Sequence, residues 1–122
     1  MAGHSVRIRR AYDEPGGRDG ARVLVDRIWP RGVTKEQAAL DEWMKDVAPS
    51  TALRKWYGHD PERYGEFRRR YRRELSSGAG AEALGRLRDL RGKRAVTLVT
   101  ATKDVDISGA KVLAELLTGS SR

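Results

Sequence analysis

The sequence predicts a small single-domain α/β protein with a mixed sheet of about three strands and flanking helices. Three observations carry this reading. Two apolar, β-branched runs, Val23-Leu24-Val25 and Ala95-Val96-Thr97-Leu98-Val99-Thr100, stand far apart in the chain. The intervening stretch has helical spacing punctuated by cap and stop residues. A third run, Ser5 to Tyr12, alternates apolar and charged residues near the N-terminus, the period of a half-exposed strand.

After this first strand, Asp13 to Gly20 is dense in turn formers and reads as a loop. Ala21 to Ile28 reads as a central strand, because consecutive apolar residues imply burial on both faces. Pro30 ends it, since proline cannot donate to a sheet ladder. Thr34 and Gln37 form a capping box. The helix it opens is expected to carry Leu40, Trp43, Met44 and Val47 on one face, up to Pro49. Ser50 caps a second helix with Leu53, Trp56 and Tyr57 inside and Gly58 as its stop. Asp60-Pro61 opens a third, with a stripe of Tyr64, Phe67, Tyr71 and Leu75. Ser76 to Gly80 breaks it. A fourth helix follows with Ala83, Leu84, Leu87 and Leu90 on one face and Gly92 as its stop. After the Ala95–Thr100 strand, a turn over Asp104 to Ser108 caps a last helix, whose inner face is Val112, Leu113, Leu116 and Leu117.

The first two strands have only a Pro/Gly loop between them, so antiparallel pairing is expected there. The helical stretch before the last strand is long enough for parallel pairing. Residues 1–122 make one domain, with 1–4 and 119–122 expected to fray. A chain of this length buries roughly two thirds of its unfolded surface.

The absence of cysteine excludes disulfides and thiolate zinc sites. No apolar run approaches the ~20 residues of a membrane span, and the N-terminus lacks a secretory apolar segment. A cytoplasmic location without membrane association is therefore expected. The net charge is +8, with 19 Arg against 6 Lys. Such a balance favours anionic partners, although arginine-rich composition bias explains part of it.

Two polar groups converge if the second and last strands are parallel neighbours, since ligands of open α/β sheets sit beyond the strands' carboxyl ends. One is Asp26, Arg27 and Arg31, with Trp29 among them. The other is Thr102, Lys103 and Asp104. Arginine recognises phosphate or carboxylate through two parallel donors, and lysine adds a point charge. The alternative is that Asp26 and Arg27 pair within the protein and Trp29 is core. His59 lies in a helix–helix turn, where it is either a general base, with Asp26 as another candidate, or an exposed helix-end cation. A serine triad finds no support, because Ser50 reads as a cap and no nucleophile elbow is present. No metal and no cofactor is expected, since histidines are few and the glycines at 16, 17 and 20 match no phosphate-loop spacing.

The third helix carries Arg68, Arg69, Arg72 and Arg73 on its polar arc. Like charges at this spacing repel, and either a nucleic-acid backbone or acids from other elements would relieve them. The competing expectations are thus a small anionic ligand at the strand ends, nucleic acid on the third helix, and a plain interaction or dimer module using open sheet edges. Oligomeric state and any catalysed reaction are left open.

The segments Arg22-Val23-Leu24-Val25-Asp26-Arg27-Ile28-Trp29-Pro30-Arg31-Gly32, Leu40 to Ser50, Leu53 to Pro61, Phe67 to Tyr71 and Ala101-Thr102-Lys103-Asp104 together resemble the YeaO-like branch of the domain-of-unknown-function 488 family. The resemblance covers nearly the whole chain. It implies a small α/β domain of cytoplasmic bacterial type and assigns no activity. It singles out Asp26, Arg27, Trp29, Arg31, Trp43, Arg54, Trp56, His59, Lys103 and Asp104, and thereby adds Arg54 to the ligand-site set. Relatives follow the Lys-Asp pair with a Glu-His-Asn-like stretch, where this chain has Val105-Asp106-Ile107-Ser108-Gly109. If that stretch supplies a catalytic group in relatives, this chain lacks it. Some relatives carry a transcription-regulator label, but no helix-turn-helix pattern is present here.

Overall fold

A computed structural model describes residues 4–119. The strands are β1 (Val6–Arg10), β2 (Ala21–Leu24), β3 (Glu42–Trp43) and β4 (Val96–Thr100). The helices are α1 (Lys35–Ala38), α2 (Thr51–Tyr57), α3 (Tyr64–Glu74), α4 (Gly78–Lys93) and α5 (Gly109–Thr118). The sheet has four strands in the order β1-β4-β2-β3, and every pairing is parallel.

The expected antiparallel pairing of β1 and β2 does not occur, because β4 lies between them. Val6 stands opposite Val96, and Ala21 opposite Val96 from the other side. The loop leaving β1 therefore returns along the sheet to start β2 at the same end. Its anchor is Asp19, which is 2% exposed and whose carboxylate meets the buried Arg22 guanidinium at 2.6 Å. Asp19 also accepts from Gly16 N, and its carbonyl accepts from the Thr97 hydroxyl at 2.7 Å. Burial pushes the Asp19 carboxyl up, but the Gly16 and Arg22 hydrogen bonds and the Arg22 and Arg9 charges outweigh it and hold it below its ordinary value. Gly20, at φ +66°, sits so close to Ala95 that a Cβ would lie 2.2 Å from its carbonyl oxygen.

The helix expected from Thr34 to Val47 stops after four residues. Its capping box is present, but Ala39 turns left-handed at φ +48°. Two interactions end it. The Arg22 guanidinium donates through Nε and Nη2 to the Ala38 carbonyl, at 3.1 and 2.8 Å. Glu42–Trp43 then joins the edge of β2, with Asp41 N and Met44 N bonding to Arg22 O and Leu24 O. The apolar spacing of 40–47 thus serves two layers rather than one helical face. Met44 and Val47 enter the main core, while Leu40 and Trp43 pack on the opposite side of the sheet.

The remaining helices follow the sequence closely, except that α4 begins at Gly78, inside the break expected over Ser76 to Gly80. Ser50 caps α2 by accepting from Leu53 N, and Gly58 ends it in the left-handed region. Asp60 caps a 3-10 turn, Pro61–Arg63, that leads into α3. Helix α4 runs through Gly92 to Lys93, one residue past the expected stop. Ser108 caps α5 by accepting from Lys111 N, and Gly119 caps its other end. His4, expected to fray, is tied to Arg91 by its backbone N–H and C=O; residues 1–3 and 120–122 lie outside those described. Among the described residues no helix is long and apolar enough to cross a membrane.

One large core forms where Val23, Val25, Val96 and Leu98 meet the helices, with Phe67, Tyr71, Leu87 and Leu113 fully buried. The other sheet face is covered by loops, through Leu24, Val99, Trp29, Leu40 and Trp43. The chain leaves β2 toward β3 but leaves β4 toward α5, which packs on β1 and β4. The carboxyl ends of β2 and β4 therefore flank a topological switch point, the usual ligand position in an open parallel sheet.

Candidate functional site

A cleft of about 990 Å³ opens at that switch point. Asp26, Arg27, Trp29, Arg31, Arg54, His59, Lys103 and Asp104 all line it. The loop after β2 supplies the first four of these, the end of α2 and its turn the next two, and the loop after β4 the last two. Lys55 joins them, as does the N-terminal end of α5 through Ser108, Gly109 and Ala110.

β2 ends at Leu24 rather than running to Ile28, and Asp26 is the reason. Its carboxylate accepts from the Thr100 hydroxyl and from Ala101 N, both at 2.8 Å. A side chain thus takes over from the ladder where β2 diverges from β4. Its carbonyl accepts from Trp43 Nε1 at 2.7 Å, which fixes the same corner to β3. Burial pushes the Asp26 carboxyl above its ordinary value, against the pull of those two hydrogen bonds and of the Arg54 and His59 charges. Beyond this corner Ile28 is 60% exposed.

Part of the β2 loop is engaged within the protein. Arg27 donates to the carbonyls of Pro49 and Ala48 at 3.3 and 3.2 Å, so its guanidinium ties the loop to the entry of α2. Trp29 donates to Val33 O at 2.7 Å, and its ring meets Trp43 edge-on at 5.3 Å. Asp104 accepts from Asp106 N and caps the 3-10 turn Val105–Ile107; its negative charge suits that role and not direct contact with an anion. Arg31, Arg54, Lys55 and Lys103 are exposed, and no hydrogen bond or ion pair engages their charged ends among the described residues.

His59 is exposed and adopts φ +58°, directly after Gly58 at φ +54°. A non-glycine residue in this region is strained. Its ring lies 5.8 Å from that of Tyr57. Tyr57 stacks on Phe67 at 4.1 Å and donates to Ile107 O at 2.6 Å, which joins the cleft floor to the segment before α5. Burial, with Tyr64 and the carboxylates of Asp104 and Asp60 nearby, pushes the Tyr57 hydroxyl up to about 12, so it remains a donor.

The arginines of α3 do not line this cleft. Arg68 meets Glu115 at 3.0 Å, and Glu66 accepts from both Arg69 and Arg70. Arg70 also lies over the Trp56 ring at 4.3 Å. Among the described residues no group of three His, Asp or Glu side chains is arranged to hold a metal ion.

Sequence reasoning missed that Lys55, Ile28 and the α5 N-terminus line the cleft. Lys55 follows Arg54 on a helix whose other residues read as core, and Ile28 read as strand. The buried Asp19–Arg22 pair was also hidden, since opposite charges three apart across a loop–strand junction carry no distinctive signal.

Residues 5–121 match the family described as the inactive DUF488-N3 subclade. An uncharacterized protein of Mycobacterium tuberculosis (strain H37Rv) is 53% identical over 114 residues, covering 93% of this chain and 94% of that one. A Mycobacterium bovis uncharacterized protein matches to the same extent. The uncharacterized protein YeaO of Escherichia coli K12 is 42% identical over 114 residues, covering 93% of this chain and 96% of its own. No solved structure matches. The chain belongs to the domain-of-unknown-function 488 family, in its inactive N3 subclade.

Proposed function

We propose that this protein is a non-catalytic binding module for a small phosphorylated or otherwise anionic ligand, held in the cleft at the carboxyl ends of β2 and β4. One observation carries the reading. Five cationic side chains line the cleft against two carboxylates, and none of the five makes an ion pair among the described residues. Both carboxylates are occupied, Asp26 by Thr100 and Ala101 and Asp104 by its own turn. A concave site with uncompensated positive charge attracts an anion, and partly enclosed walls strengthen that attraction over open water. Arg54, Arg31 and Lys103 take the anion, while Arg27 and Asp26 hold the loops that present them.

The subclade description, inactive, supports binding without turnover. So does the 105–109 segment, which reaches the cleft as Ile107, Ser108 and Gly109 and brings no histidine. The test is calorimetric titration with inorganic phosphate and sulfate at fixed ionic strength, with thermal melting alongside. Saturable binding that is lost in Arg54→Ala with Lys103→Ala is expected. Equal heats and equal melting shifts in the wild type and the double variant would overturn the reading.

A further inference from the structure

The cleft is far larger than an inorganic anion requires. Its volume falls at the upper end of the range for pockets that enclose whole organic ligands, roughly 300–1,000 Å³. Most of its wall is apolar: Ile28, Trp29, Pro30, Pro49, Pro61 and Ile107 stand among the cations. Ile28 decides the matter. Only it and Tyr12 are large hydrophobic residues with high exposure among the described residues, and Ile28 is the more exposed at 60%. It gains nothing from the core, and it stands beside Trp29, whose indole is already fixed by Val33 and Trp43. A hexose phosphate would leave these surfaces facing hydroxyl groups. A flat apolar ring would cover them, and a ring lying against a pre-fixed indole loses little side-chain freedom.

Building on the anion-site reading, we infer that the ligand is an organic monophosphate with a flat ring, a nucleoside or aryl phosphate. Ile28 and Trp29 cover the ring while Arg54 and Lys103 hold the phosphate. Charge and shape then divide the work: the cations on α2 and the β4 loop fix the anionic end, and the loop after β2 selects the body.

Four probes test this by calorimetry at one ionic strength: adenosine monophosphate, phenyl phosphate, glucose phosphate and inorganic phosphate. The two ring-bearing phosphates are expected to bind about tenfold tighter than the other two, the gain from covering one exposed aliphatic side chain and part of an indole. Ile28→Ser, at an exposed site outside the core, removes that preference and leaves inorganic phosphate unchanged. Arg54→Ala weakens all four. Comparing adenosine monophosphate with phenyl phosphate separates nucleoside from simple aryl recognition. Equal affinity for all four probes, or an Ile28→Ser variant that keeps the preference, overturns the inference and leaves the anion site standing. Failure of every phosphate to bind overturns the anion site itself.

Discussion

On α3, Arg68, Arg69 and Arg70 have acidic or aromatic neighbours. Glu66 accepts from Arg69 and Arg70, Glu115 meets Arg68, and the Trp56 ring lies under Arg70. In the cleft, Arg31, Arg54, Lys55 and Lys103 line a concave space without an ionic partner among the described residues. The sequence shows the opposite emphasis, because the α3 arginines are consecutive and the cleft cations are scattered over some seventy positions. Density of charge along a chain is therefore a poor guide to where charge is available. Arg68, Arg69 and Arg70 are compensated by acids placed one turn away and on α5. The cleft cations form no such pairs among the described residues, and the proposed anion site rests on that difference.

The largest effect should come from reversing charge in the two regions. Arg54→Glu with Lys103→Glu is expected to weaken phosphate binding by about 100-fold, the loss of two charge-assisted contacts. Arg69→Glu with Arg70→Glu should leave that affinity within about twofold. If the helix variant loses binding and the cleft variant keeps it, the comparison is reversed.

Next in size is the clasp that shapes the cleft. Asp26→Ala leaves the Thr100 hydroxyl and Ala101 N–H without their acceptor, at a cost of about 1–3 kcal/mol in urea unfolding. Its pH dependence has a definite sign. Asp26 holds its proton more tightly folded than its ordinary value of 3.8 allows. In the window above 3.8 the folded state carries a proton the unfolded state lacks, so this group's contribution to stability falls as pH rises through that window. Asp19 acts in the opposite sense, its contribution being lost as pH falls below 3.8. Carbon NMR titration of both carboxyls checks the pair. An Asp26 midpoint at or below 3.8 would remove the effect.

His59→Gly should relieve the left-handed strain and raise stability by about 1 kcal/mol, while lowering affinity for phosphate probes through the lost ring. A rise in stability with unchanged binding would show His59 to be a turn residue with no part in the site.

The smallest effect is expected from Glu66→Gln, which leaves Arg69 and Arg70 without their acid. Thermal melting should barely move, since surface ion pairs of this kind contribute little. Binding to duplex DNA across a salt series should instead become stronger and more steeply salt-dependent than in the wild type. Strong, salt-sensitive DNA binding by the wild type, abolished by Arg69→Glu with Arg73→Glu, would move the functional surface from the cleft to α3.

Much of this architecture is legible in the sequence. Capping residues are local chemistry, so Thr34, Ser50 and Asp60 announce helix starts that the structure contains. The α/β class follows from two apolar runs separated by helical spacing. The motif residues after β2 and β4 could be grouped in advance, because parallel neighbours place their carboxyl ends together, and Asp26, Arg27, Trp29, Arg31, Thr102, Lys103 and Asp104 all line one cleft. Their division of labour could not be read. Arg27, Asp104 and Asp26 spend their hydrogen bonds on Pro49, Asp106 and Thr100, partners that only folding brings within reach.

Three features were decided by tertiary structure alone. β1 pairs across β4 because the loop between β1 and β2 is pinned by the buried Asp19–Arg22 pair. The helix from Thr34 stops at Ala38 because the same Arg22 takes its last carbonyl and β2 offers an edge to Glu42–Trp43. Among the described residues no acid forms an ion pair with the cleft cations, whereas Glu115 on α5 meets Arg68. By itself, the sequence determined caps, breaks and apolar periods, whose energies depend on residues a few positions apart. Pairing of strands and charges depends on groups tens of positions apart, and those energies exist only once the chain has closed on itself.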